Sequence, residues 1–176
     1  MKNNIDEIKQ ILDNIEIQVQ KCRVLLEGGS LEGVSLDYSK KAAKVGKATE
    51  SQKERIIEGV FDGQKMIGPD GKEYSLPANY ISKSKLVEGD ILKLTIDDAG
   101  NFIFKQIGPV ERQRLVGKLT RNEETSEYEV LSEGKIFKVI MASITYFKGD
   151  EGDEVVILVP KGAESQWAAV ENIIKK

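Results

Sequence analysis

One stretch of this chain occurs twice, and a repeat of that size limits the fold to two similar modules or one pseudo-symmetric whole. Asp70-Gly71-Lys72-Glu73-Tyr74-Ser75-Leu76, running on to Glu88-Gly89-Asp90-Ile91-Leu92-Lys93-Leu94, returns sixty-three residues later without a gap. The second copy reads Glu133-Gly134-Lys135-Ile136-Phe137-Lys138-Val139, running on to Glu151-Gly152-Asp153-Glu154-Val155-Val156-Ile157. Identities fall at Gly71/Gly134, Lys72/Lys135, Ile81/Ile144, Lys85/Lys148, Glu88/Glu151, Gly89/Gly152 and Asp90/Asp153. Tyr74/Phe137, Leu76/Val139, Ser82/Thr145, Leu92/Val155, Leu94/Ile157 and Ile96/Val159 are close replacements. The shared register predicts an internal duplication.

Within each copy the apolar residues follow a strand period. Ile56–Phe61, Met66-Ile67, Lys72–Leu76, Ile91–Ile96 and Phe102–Ile107 read as strands, with Asp97–Asn101 a hairpin turn. In the second copy the strands are Arg114–Leu119, Glu127–Leu131, Lys135–Ile140, Glu154–Val159 and Trp167–Ile173. Ile140–Phe147, rich in β-branched and aromatic side chains, also reads as strand. About five short strands per copy predict two tandem five-stranded β-barrels over 55–108 and 109–176. Gly89-Asp90 and Gly152-Asp153 fit the sharp turn into a strand, since Gly accepts positive φ and Asp bonds nearby backbone. The acidic run Asp150-Glu151-Gly152-Asp153-Glu154 lacks the alternating spacing of a calcium loop.

Ahead of the barrels the period is helical. Ile5, Ile8, Leu12, Ile15, Val19, Cys22 and Leu26 are spaced 3-4-3-4-3-4, an a/d seam over three heptads, and Gly28-Gly29 ends it. Residues 1–28 are therefore expected to form an amphipathic or coiled-coil helix that packs either between chains or on the barrels. Cys22 lies on the seam and reads as a small core residue. Residues 29–54 read as a linker, too thin in apolar side chains to drive packing, although Ala42, Ala43, Val45 and Ala48 loosely fit a partly helical Leu36–Lys53.

Composition closes several chemistries. The chain has no histidine, which removes His-based triads and most zinc sites. It has no Walker, dinucleotide-binding or nucleophile-elbow motif. Its one cysteine permits no internal disulfide, and its longest apolar runs fall far short of a membrane span. The polar start lacks a signal peptide, so the expected setting is the cytoplasm. Net charge is −3, with both signs mixed along the chain. No catalytic residue, metal ligand or cofactor follows from these features.

A heptad helix followed by two barrels, each with a G-K-x-[YF]-x-[LV]…I-[ST]…K-x-x-E-G-D pattern, resembles the coiled-coil and tandem OB-fold region of bacterial proteasome-associated AAA+ ATPases. Gly59-Val60-Phe61, Gly71-Lys72-Glu73-Tyr74 and Ile81-Ser82…Leu86-Val87-Glu88-Gly89-Asp90 carry most of the likeness. No AAA+ module follows, so the resemblance implies assembly through helix and barrels without ATPase activity. The chain is also similar to a widespread type of small bacterial protein, a likeness that implies no activity. A second likeness runs from Leu76-Pro77-Ala78 to Glu88-Gly89-Asp90-Ile91-Leu92, which resembles the core of AbrB-type DNA-binding domains. It implies a helix over 78–86 and a swapped-hairpin or double-psi barrel interlocking both copies.

Two functions follow as expectations. The first is a non-enzymatic assembly or adaptor protein, self-associating through the seam and presenting barrels to a protein partner. The second is single-stranded nucleic-acid binding, with Tyr80, Lys83, Lys85, Arg112, Arg114, Lys118, Arg121 and Lys148 as contacts. Tyr74, Phe102, Phe104, Phe137, Tyr146, Phe147 and Trp167 are further aromatic candidates, each equally suited to filling a core.

Overall fold

A computed structural model describes residues 8, 12, 15, 19, 22, 23 and 26, then 38–50 and 54–175. The chain divides into two units, Met1–Asp37 and Tyr38–Lys176. In the first, the seven described residues are helical. The remainder of the expected 1–28 helix, Ile5 included, lies outside the described residues.

The second unit is mainly β. A helix, α1 (Tyr38–Val45), leads into β1 (Ala48–Glu50), β2 (Glu54–Phe61), β3 (Lys65–Ile67) and β4 (Glu73–Ser75). Helix α2 (Ala78–Ser84), β5 (Ile91–Asp97) and β6 (Phe102–Gly108) complete the first half. The second half repeats the order: β7 (Arg112–Arg121), β8 (Tyr128–Ser132), β9 (Lys135–Val139), α3 (Met141–Phe147), β10 (Glu154–Pro160) and β11 (Trp167–Ile174).

The strand order is the same in both halves, but the closure is not. In the second half β10-β11-β9-β8-β7 forms a closed barrel, with β9 and β11 parallel and every other pair antiparallel. In the first half β4-β3-β2-β5-β6 is an open sheet, with β1 added beside β2. The expected pair of closed barrels is thus corrected to one barrel and one open sheet. Side chains supply the reason. Leu94 and Ile157 are equivalent; Leu94 pairs with Phe104, and Ile157 with Val170. Two residues earlier on the same strands stand Phe102 and Ala168. Where the closed barrel has small, buried Ala168 and Val170, the open sheet has two phenylalanines. Rings, not backbone, span its gap: Phe102 lies edge-on to Tyr74 of β4, centroids 6.2 Å apart.

Each half has its own core. Ile57, Phe61, Met66, Ile81, Leu86, Leu92 and Leu94 fill the first, and Leu119, Val130, Phe137, Val139, Ile144, Val155 and Ile157 are central to the second. Every strand pair lies within one half, so the halves do not interlock as the double-psi alternative requires.

Two segments depart from expectation. Ile140–Phe147, read as strand, is extended only at Ile140 and then helical from Met141. It occupies the place of α2 sixty-three residues earlier, and both helices end on a left-handed lysine, Lys85 (φ 48°) and Lys148 (φ 53°). The Lys85 and Lys148 N–H groups close back on the preceding turn in the same pattern. Residues 38–50, read as linker, are α1 and β1. Ala42 is fully buried with Val60 and Ile67, and Tyr38 packs against them.

Gly59 of β2 and Gly117 of β7 allow a close approach between strands. A Cβ at Gly59 would lie 2.2 Å from the Ile67 carbonyl oxygen, and one at Gly117 2.5 Å from that of Leu131. Backbone cannot yield to such a contact as a flexible side chain does. Gly59→Ala and Gly117→Ala are each expected to lower stability by about 1–3 kcal/mol, read as a fall in the urea midpoint at constant slope.

Candidate functional site

The repeated Glu-Gly-Asp turn is built alike in both halves. Gly89 and Gly152 take φ of 92° and 94°. The Asp90 carboxylate accepts the Val87 N–H at 2.9 Å, and the Asp153 carboxylate accepts the Asp150 N–H at 2.9 Å. In the first half the turn backbone clamps β2: Gly89 donates to the Phe61 carbonyl, and Phe61 donates to that of Asp90. Gly152, Leu119 and Asp153 repeat the arrangement. The sequence expectation of turn chemistry at both sites is met.

In the first half the turn also joins the halves. Asp90, fully buried, accepts from the Val110 N–H at 2.9 Å, the Gln106 amide at 2.8 Å and the Arg112 guanidinium at 2.7 Å. Burial pushes the Asp90 carboxyl up, against the lowering effect of its donors. Glu88 accepts the Gln166 and Trp167 N–H groups at 2.9 and 2.6 Å, and the Tyr38 hydroxyl on its other oxygen. Lys41 donates to the Gly89 carbonyl at 3.1 Å. Val87 and Val110 pack with Leu158 and Ala169 of the barrel. The node ties α1, the open sheet and the barrel into one body.

Several proposed nucleic-acid contacts are spent on structure. Arg112 is paired with Asp90, and Arg114 makes two bonds to Glu171, at 2.5 and 2.7 Å. Tyr80 packs on the first core, its ring tilted against Phe104. Trp167 lies against Gly63, with the Lys138 ammonium 5.8 Å from its ring centre. Lys85 is half-buried; Lys83 and Lys118 are exposed on different elements.

Arg121 and Lys148 come together. With Lys175 they line a cleft of about 430 Å³, floored by Tyr128, Met141, Ile144 and Thr145. Arg121 stacks over Tyr128, 5.8 Å from the ring centre. Asp150 is the one acid in the lining, and Lys175 approaches it at 3.7 Å. The lining thus carries three cations against one carboxylate beside an aromatic face. Sequence reading missed Lys175, which has no neighbour in the repeat to single it out.

The seam residues are the third feature. Ile8, Leu12, Ile15, Val19 and Leu26 are 54, 58, 53, 46 and 87% exposed, and Cys22 is a free, exposed thiol. The expectation of a core cysteine is not met within the single chain. Among the described residues no three carboxylate or thiol groups converge as a metal site requires, and no helix is long and apolar enough to cross a membrane. No protein-family model matches this chain, and neither a curated protein nor a solved structure is similar to it.

The buried Glu88 gives a pH signature. Burial is the largest influence on it and pushes its carboxyl above the usual value of 4.5, despite the opposing donors. Between the unfolded and folded values the folded chain then binds more protons, so stability from this group falls as pH rises through that window. In Glu88→Gln the amide oxygen keeps the Gln166 and Trp167 bonds, and its NH2 donates to the Tyr38 oxygen. The variant is expected to lack this loss, so urea midpoints of the two proteins separate progressively above pH 4.5 in favour of Gln.

Proposed function

We propose that this chain is a non-enzymatic assembly and adaptor protein. Copies gather through the helical seam, and each displays a rigid pair of β units to a protein partner. The observation that carries this reading is the exposure of five apolar a/d positions, Ile8, Leu12, Ile15, Val19 and Leu26, each of them helical. An apolar stripe of that kind leaves water when a second stripe covers it. The Glu88–Asp90 node supports the display role, since it holds both β units in a fixed relation.

We read the two halves as a tandem duplication of an OB-like unit. The shared order, with a helix between β4 and β5 and between β9 and β10, and the matching Asp turns support that reading. It also agrees with the resemblance to the tandem barrels of proteasome-associated ATPases, with assembly rather than ATP hydrolysis as the common part.

Sedimentation tests the assembly. The full chain is expected to run as an oligomer, and a chain beginning at Tyr38 as a monomer. Leu12→Asp with Ile15→Asp is expected to dissociate the full chain without lowering the stability of its β units. A full chain that is monomeric at micromolar concentration ends the proposal.

Single-stranded nucleic acid is a second reading, favoured by the Arg121, Lys148 and Lys175 cleft beside Tyr128. Three phosphate contacts give a salt slope of about −2 for a single strand. Anisotropy of a labelled oligothymidylate should then show binding that weakens with that slope, and Arg121→Ala or Lys148→Ala should each flatten it by about 0.7. No binding at about 50 mM salt removes this reading.

A further inference from the structure

Strand β6 is the open edge of the first sheet. Among the described residues it pairs with β5 alone, and its outer backbone row faces no strand. In the barrel the corresponding edge is closed at its start, where β11 pairs with β9 through Trp167↔Lys138 and Ala168↔Val139. The first half therefore keeps open along all seven residues an edge that the second half closes at its start.

The face of that edge has a readable pattern. Phe102, Phe104 and Gln106 point to the core side, where they pair with Ile96, Leu94 and Leu92. Ile103, Lys105 and Ile107 therefore share the other face. Ile103 and Ile107 are 57 and 41% exposed, large for apolar side chains on a finished surface. Rows across the sheet show what would extend it. One row runs Glu58, Lys93, Lys105 and then ends at the edge. Its two lysines stand directly opposite each other, an unfavourable pair that a neighbouring carboxylate relieves. Among the described residues neither lysine is in an ion pair. The next row runs Ile56, Thr95, Ile103 and calls for an apolar or β-branched neighbour.

We propose that the outer edge of β6 docks an extended segment of another protein in which one acidic residue stands between two apolar residues at i−2 and i+2. The added strand continues the ladder, its acid lies opposite Lys105, and its apolar side chains cover Ile103 and Ile107. The pattern is symmetric, so it serves a parallel or an antiparallel strand. A second copy of this chain is a poorer occupant: antiparallel self-pairing centred on Lys105 sets two lysines directly opposite. The lysine that guards the edge against like strands thereby selects for an acidic one.

The inference deepens the adaptor reading, on which it rests for the existence of a protein partner. Its test leaves self-association aside. The probe is a labelled nine-residue peptide with Glu at its centre, Val two residues to each side, and Thr and Ser elsewhere. A control peptide carries Lys at the centre. The full chain is expected to bind the Glu peptide at least tenfold more tightly than the Lys peptide, and hydrogen exchange of Phe102–Gly108 is expected to slow. Lys105→Glu, an exposed change, should reverse the preference. Equal binding of both peptides, no binding of either, or no reversal overturns the proposal. So does a change in sedimenting mass on Lys105→Glu, which would give the edge to a second copy. Loss of the seam oligomer with peptide binding intact would instead overturn only the assembly reading.

Discussion

The fold depends on a carboxylate that completes a turn. Asp90 and Asp153 each accept the N–H three residues back, and their glycine neighbours take the positive φ that lets the chain reverse. The reciprocal bonds between the turns and β2 or β7 fix where β5 or β10 starts, and so the register of the pair each forms. A strand slipped by one residue would turn Leu92 and Leu94, or Val155 and Ile157, out of their cores. The motif is short because its task is local. It is repeated because each half needs the same reversal.

Equivalent turns have acquired different neighbours. Around Asp153, itself buried, Glu151 is exposed. Around Asp90 the same backbone meets Arg112, Val110 and Gln106, and Glu88 reaches Tyr38 and the start of β11. Burying two carboxylates at one junction is costly unless each is well supplied with donors. Asp90 has four donors and Glu88 three, which is why this junction holds the halves in one arrangement.

Much of this was legible in the sequence. Strand positions, the 97–101 hairpin and the turn role of Gly-Asp all follow from period and turn chemistry. Helix α3 was not, because seven residues of Met-Ala-Ser-Ile-Thr-Tyr-Phe have strand-like composition and are too short to show a 3.6 period. The repeat held the missing signal: Lys85 and Lys148 align, and a left-handed C-cap in one copy implies the same helix end in the other. Helix α1 was only faintly legible, for another reason. One alanine does most of its burying, and long-range bonds from Tyr38 and Lys41 hold the rest. Nor could alternation alone reveal the open sheet, since Phe102 and Ala168 both count as apolar.

The last distinction separates the two halves in what they offer. Alanine at 168 lets β9 and β11 approach, and the closed barrel then turns its β10–β11 outer face, Leu158 and Ala169, toward the junction. Phenylalanine at 102 and 104 sets rings where the barrel has Ala168 and Val170, and the outer edge of β6 stays without a strand partner. One half has spent its edge on stability and its outer face on the junction. The other retains a backbone edge flanked by exposed isoleucines and an unneutralised lysine. A few side chains at one strand thus separate two halves of the same strand order, one closed through β9 and β11 and the other left with β6 as an open edge.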